Sequence, residues 1–223
     1  MFTSSIEWHQ AFPGALVGLL VIKNVSNPKS HPDLEKRKAD LESRLRSRFP
    51  DVATIKSHYA VKAYKEYYKQ FKKTYHVQQQ IESIACKGKS IPKVAALVEA
   101  MFMAELDSLL LTACHDYDLV HGPVTINVSM GTETYLRLNG QEQSLKTGDM
   151  FISDTVGILS SIIYGPDKRT SINPTTTNVL FTTYAVPGIS EHSLHEHLEG
   201  IISLVHLVSP KGKVDLVEIL RAD

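Results

Sequence analysis

Two periods divide the chain. Through most of the first half, apolar positions recur at helical spacing; through most of the second they alternate or form short solid runs. Ala15 to Ile22 is one such solid run, and reads as a strand buried on both faces. A helix is predicted from Ser30, a capping hydroxyl followed by Pro32 in the first turn and Asp33 beside it. Leu34, Leu41, Leu45 and Phe49 form its stripe, and Pro50 ends it. Val52 to Ser57 is expected as a short strand. From His58 a second helix places Val61, Tyr64, Tyr68 and Phe71 on one face, with Lys62, Lys65, Lys69, Lys72 and Lys73 around it. A third helix, Val77 to Ala85, stops at Gly88. A fourth runs from Pro92 to about Leu106. Val94, Leu97, Val98, Met101, Phe102 and Leu106 make it apolar on most sides, as a central core helix would be.

Beyond residue 120 the pattern is that of strands. Val124 to Val128 alternates. Thr134 to Leu138 leads into Asn139-Gly140, a strong hairpin signal, with Gln141 to Leu145 as the return strand. Met150 to Ile152 and Gly157 to Ile163 follow, the second broken by Gly165-Pro166-Asp167, and Val179 to Val186 reads as a central strand. Ser190 caps a last helix, where Leu194, Leu198, Ile201, Ile202 and Val205 keep the helical period. The tail, Val214 to Leu220, fits strand or helix. Helices over about 30–110, strands over about 120–187 and a helix over about 190–207 predict one domain spanning 1–223. Its fold class is α+β, a mixed, largely antiparallel sheet with flanking helices.

Composition changes this picture little, and charge distribution changes it more. The 223 residues are 43% hydrophobic and 22% charged, with a formal net charge of zero. Between Lys36 and Lys73, however, 12 basic residues face four acids, a local net charge of +8. Lysines interleaved with aromatics suit a nucleic-acid surface, where cations meet phosphates and rings stack on bases. The same pattern describes a core face of tyrosines beneath a solvated lysine face, and the pattern alone favours the core. Cys86 and Cys114 are far apart, with no Cys-x-x-Cys pair, so two free thiols in a reducing compartment are expected. The first residues lack the basic and apolar regions of a signal peptide, and the run to Ile22 is too short to span a bilayer. A cytoplasmic location with no membrane partner is expected.

Candidate chemistry is sparse. Ala113-Cys114-His115-Asp116-Tyr117-Asp118 lies at the junction between the two halves, and the acids beside His115 would favour its charged form. Asp154 follows a strand. Asp167-Lys168-Arg169-Thr170 follows another, and would either position a phosphate or ribose or satisfy its own loop. His192, His195 and His197 lie among glutamates on the last helix and read as its wet face rather than as metal ligands. No phosphate-cradling glycine loop, nucleophile elbow or His-Glu-x-x-His is present. No cofactor and no metal is expected, nor a complete nucleotide-dependent ligase.

Several elements, in order, give a resemblance. Pro13 and the strand to Ile22 precede the basic helix, and His58-Tyr59 with Tyr64 to Phe71 looks like a tyrosine-rich helix. Cys114-His115-Asp116-Tyr117-Asp118 is similar to Pro-x-His-x-Phe-Asp. Ile152-Ser153-Asp154 looks like an Ile-x-Asp strand end. Asp167 to Thr170 and Thr176 to Leu180 look like Asp-x-x-Thr and Thr-x-Asn-Val elements. Over Pro13 to Val186 the chain thereby resembles the B3/B4 domain of the phenylalanyl-tRNA synthetase beta subunit, and stand-alone proteins built from that domain. The resemblance implies a mixed α/β module with tRNA or another RNA as partner. In the synthetases this module hydrolyses wrongly attached tyrosine from tRNA, with the motif histidine, here His115, lining the editing site.

The chain departs from that pattern. Thr182 stands where the family has its editing glutamate, Ala113 replaces the motif proline, and Ser160-Ser161 lies where a small Ala-Gly pair is expected. The resemblance thus implies an RNA-binding module, with Lys62, Lys65, Lys69, Lys72 and Lys73 on phosphates. Its sharper form is a deacylase in which His115 orients water or the terminal ribose and the Arg169-Thr170 loop steadies the oxyanion. Asp116, Asp118, Asp154, Asp167 and Thr182 would then surround the pocket. The alternative is a small-molecule or protein-interaction domain that kept the fold and lost the RNA.

Overall fold

The computed structural model describes residues 1–223. In chain order the elements are β1 (Phe2–Ser4), α1 (Ile6–Ala11), β2 (Leu16–Lys23), α2 (Pro32–Arg48), α3 (Val52–Ser57), α4 (Tyr59–Gln70) and α5 (His76–Ile81). A π-helical turn, Glu82–Cys86, extends α5, and then come α6 (Ala96–Ser108) and β3 (Leu111–Asp116). After a single 3-10 turn, Tyr117–Leu119, the chain continues through β4 (Val124–Val128), β5 (Thr134–Leu136), β6 (Glu142–Ser144), β7 (Met150–Ser153), β8 (Ile158–Ser161) and β9 (Gly165–Pro166). It ends with β10 (Asn178–Ala185), α7 (Glu191–Val208) and β11 (Lys213–Arg221). No helix is long and apolar enough to cross a membrane.

Three sheets form. One has the order β1-β4-β7-β8-β9, the second β11-β2-β10-β3, and β5-β6 is a separate hairpin. Only the β1–β4 pairing is parallel. The predicted α+β class, with a mixed, largely antiparallel arrangement and flanking helices, is what the chain adopts.

The four-stranded sheet separates two layers. Gly18 in β2 pairs with Thr183, which pairs with Thr112 in β3. This row faces α7: a Cβ on Gly18 would lie 2.9 Å from Leu194 Cδ1, so only glycine lets the helix approach this closely. The opposite face, one residue along each strand, meets the five-stranded sheet. There the Tyr184 hydroxyl lies 2.7 Å from Ser160 Oγ and donates to the Ser160 carbonyl at 3.0 Å.

The tyrosines of α4 are core, as the pattern alone favoured. Tyr64, Tyr67 and Tyr68 are buried, with Tyr75 stacked on Tyr64 at 4.3 Å between centroids. Each hydroxyl meets a backbone group. Tyr64 donates to the Tyr184 carbonyl and accepts from the Leu111 N–H at 3.0 Å. Tyr68 donates to the Ile162 carbonyl at 2.9 Å, and Tyr75 to that of Leu109 at 2.9 Å. Tyr67 accepts from the Met150 N–H at 2.6 Å and donates to Asp149 at 2.7 Å.

Some local expectations need correction. Val52–Ser57 is helix α3 and not a strand, because Asp51 caps it: Oδ1 accepts the Thr54 N–H at 2.7 Å. The fourth helix begins at Ala96 and not Pro92. Buried Glu99 turns back to accept the Val94 N–H at 2.8 Å and pairs with Lys38 of α2 at 2.7 Å. The ambiguous tail is the strand β11, paired along β2 with a bulge between Val214 and Leu216. His197 is not on a wet face. It is buried, with Nδ1 2.8 Å from Ser108 Oγ and Nε2 2.7 Å from Thr112 Oγ1, whereas His192 and His195 are exposed.

The tyrosine anchors predict an asymmetric response to loss of a single hydroxyl. Tyr64→Phe leaves the Tyr184 carbonyl and the Leu111 N–H without a buried partner. It should lower unfolding free energy in urea by about 1–3 kcal/mol. Tyr59→Phe removes an exposed hydroxyl bonded only to Ser193 and should stay within about 0.5 kcal/mol of the parent. Equal effects of the two would refute the anchoring role.

Candidate functional site

β3 ends its sheet, so its outer edge has no strand neighbour. Along that edge the Thr112 N–H donates to Glu105 Oε1 at 2.7 Å, and the Asp116 N–H donates to the Thr170 carbonyl at 2.8 Å. Cys114, midway between them, presents its backbone on the same side. It lines a cavity of about 220 Å³ between α6, the β3 edge and the β8–β9 turn. Met101, Phe102 and Ile172 make the walls largely apolar, while Glu105, Thr112, Ser161 and Tyr184 bring polar groups.

Burial strips this cavity of charge. Burial pushes the Glu105 carboxyl up to about 8, against the smaller opposing effect of the Thr112 N–H. It pushes the Cys114 thiol up to about 12, so no thiolate nucleophile forms near neutral pH. His76, at the cavity wall, is lowered by burial to about 4 and is neutral. The mouth is different. Lys73 Nζ lies 6.0 Å from the centroid of the Tyr164 ring, beside cavity-lining Gly165. Lys168 is exposed two residues beyond cavity-lining Pro166.

His115 lies elsewhere. It sits within β3, fully buried, in register with Leu180. Thr170 Oγ1 donates to Asp167 Oδ1, so the 2.8 Å contact between Thr170 Oγ1 and His115 Nδ1 is donated by the histidine. Its Nε2 has no hydrogen-bond partner. The expectation of a favoured charged form is corrected. Burial, aided by the nearby Arg169 and opposed by Asp154, lowers His115 to about 3. The acids next to it in sequence point away. Asp116 accepts from Thr176 at 2.7 Å and Asn173 at 3.2 Å, and Asp118 from Asn178 at 2.7 Å.

The loop residues hold one another. Arg169 donates to the Leu119 carbonyl at 2.7 Å and to Asp154 at 2.9 Å, and stands 3.8 Å from Asp167. Burial raises Asp154, but the N–H groups of His121, Val156 and Gly157 and the charge of Arg169 outweigh it, leaving the carboxyl below its ordinary value. Burial raises Asp167, against its bonds to Thr170. Thr182 is paired with Ala113 and Leu19, and its hydroxyl is buried without a partner. None of His115, Arg169, Thr170, Asp116, Asp118, Asp154, Asp167 or Thr182 lines the cavity. The cavity group that sequence reasoning missed is Glu105, and its signal was a carboxylate set between Ala104 and Leu106 in a helix that is apolar on most sides.

These ionisations fix how stability varies with pH. His76, His115 and His197, the last also held near 3 by burial, are neutral in the fold but titrate near 6.5 when unfolded. Below that value the unfolded chain takes up more protons, and stability falls as pH drops toward 3. Glu105 and Asp149, raised by burial to about 8 and about 7, keep protons that the unfolded chain releases, so their contribution is lost as pH rises toward 8. The urea midpoint should therefore peak at about pH 6–7 and fall on both sides. In Glu105→Gln the alkaline fall should shrink. A midpoint flat from about pH 5 to 9 would contradict these assignments.

The B3/4 domain family model matches residues 60–199. Two curated relatives, the phenylalanine–tRNA ligase beta subunits of Mycoplasma pneumoniae and Mycoplasma genitalium, are 35% and 32% identical over 68 residues. Those residues are 30% of this chain and 8% of each subunit. Among solved structures, an N-terminal fragment of the phenylalanyl-tRNA synthetase beta subunit from Pyrococcus horikoshii superposes with a TM-score of 0.52 at 10% identity. It covers 98% of this chain and 53% of the fragment, a likeness of fold. With more than half of its length matched by the family model, the chain belongs to the B3/4 domain family.

Proposed function

We propose that this phenylalanyl-tRNA-synthetase-beta-like module binds tRNA through the exposed face of α4, with the cavity beside β3 receiving a group from the RNA terminus. The observation that carries the reading is the lysine row. Lys62, Lys65 and Lys69 are exposed along one side of α4, and Lys72 and Lys73 continue it past the helix end. None of the five is engaged in an ion pair. The helix has 12 residues, about 18 Å, and its far end brings Lys73 to the rim of the cavity. Unpaired cations on such a path suit phosphates, and the uncharged cavity at its end suits an apolar or aromatic group.

The reading stops at binding. His115 is sealed between the sheets and serves to hold Thr170, and Thr182 offers no carboxylate, so neither is assigned a hydrolytic step. Residues beneath the lysines, Tyr64, Tyr67 and Tyr68, are committed to backbone groups and do not stack on bases.

Filter binding of tRNA across salt concentrations tests this directly. The logarithm of affinity should fall linearly with the logarithm of salt concentration. Lys62→Glu/Lys65→Glu/Lys69→Glu together should weaken binding at least about tenfold and flatten the slope by about two to three. Absence of binding at low salt would end the RNA reading and leave a small-molecule or protein-interaction domain.

A further inference from the structure

A second and larger cavity, about 540 Å³, opens between α2, α6, α7 and the α3–α4 corner. Its volume lies within the range of small-molecule sites. Leu41 and Met103, both buried, form an apolar floor with Leu204 and Leu207. One wall is cationic. Arg37, Arg44 and Arg48 project from one side of α2. The three basic residues here are all arginine, whereas those along α4 are all lysine. Arginine offers a planar fork of donors matched to oxyanions, while lysine is a hydrated point charge.

The donors are partly pre-oriented. Arg44 lies along Asp107 with contacts of 3.2 and 3.1 Å. Arg48 donates to the Asp107 carbonyl at 2.6 Å and to His58 Nε2 at 2.9 Å. A guanidinium accepts nothing, so His58 carries its proton on Nδ1, and that N–H has no acceptor in the protein. Arg37 has no ion-pair partner. The facing carboxylate, Glu196, lies 3.4 Å from His192 on its own helix. We propose that this cleft binds a small oxyanion carried on an apolar body, the anion gripped by Arg37 and Arg48 and the body laid on Leu41, Met103, Leu204 and Leu207. This site is separate from the α4 lysine row, and its chemistry fits a phosphoryl or a carboxylate head equally.

Isothermal titration of the full chain with phenyl phosphate, benzoate, phenol and inorganic phosphate tests the proposal. Phenyl phosphate or benzoate should bind saturably, and whichever is tighter assigns the head group. Phenol and inorganic phosphate, each lacking one half of the pharmacophore, should bind at least about tenfold more weakly. Arg37→Ala/Arg48→Ala should weaken the anion by about tenfold or more. Gly200→Leu is the second variant. A Cβ at Gly200 meets nothing within 4 Å, and Gly200 lines the cavity within α7, so the leucine fills the cleft while favouring the helix. It should abolish binding in a folded protein. Lys69→Glu/Lys72→Glu/Lys73→Glu, at the other end of α4 from cavity-lining His58 and Tyr59, should leave binding intact, which separates this site from any failure of the RNA reading. The proposal is overturned by no saturation with either anion, by phenol binding as tightly, by undiminished binding in Gly200→Leu, or by loss of binding in the lysine variant.

Discussion

A strand that ends in the interior leaves carbonyl and N–H groups that water cannot reach, and the whole arrangement depends on how these are met. Here four tyrosines meet them. Tyr64 and Tyr75 close off backbone at the α6–β3 junction and the end of β10, while Tyr67 and Tyr68 do the same for the β7–β8 region of the other sheet. One helical segment therefore fixes both sheets relative to each other. Because the hydroxyls are spent inward, the outward face of α4 is free to be lysine. The chemistry offered to solvent and the order of the core are two sides of one stretch, Tyr59 to Tyr75.

Much of the architecture was legible because hydrophobic period reports burial directly. The solid run at β2, the stripes of α2, α4 and α7, and the alternating strands followed from it. Where the sequence misled, a single polar contact outweighed pattern. Asp51 turned a β-branched stretch into α3, and Glu99 delayed the start of α6. His197 was legible in principle, since it falls three residues after Leu194 and four before Ile201, on the buried stripe. Its polarity disguised a position that Ser108 and Thr112 satisfy.

The candidate site was less legible, for a reason of geometry. Residues adjacent on a strand point to opposite faces, so Asp116 beside His115 in sequence says nothing about a shared site. The groups that gather around the cavity come from α5, α6, β3, β8, β9 and β10, and only the folded register unites them. His115 illustrates the converse. It stands out by residue type, yet its surroundings hold it neutral and fasten a loop to a strand. The cavity gains its character from loss of charge, which no count of titratable residues reveals.

The pairing of β11 with β2 joins Arg221 to Leu16, and Ala222 exchanges backbone hydrogen bonds with Gly14 and Ala15. The eleventh strand thus completes a sheet begun by the second. Until it arrives, one side of β2 has no partner while β10 occupies the other. Closing this sheet is consequently a long-range step with a large loop to close, set by topology more than by local helix formation. In the interval an apolar strand with an open edge is exposed to other chains, a hazard that the charged residues Lys213, Asp215, Glu218 and Arg221 inherit once β11 becomes the edge in its place.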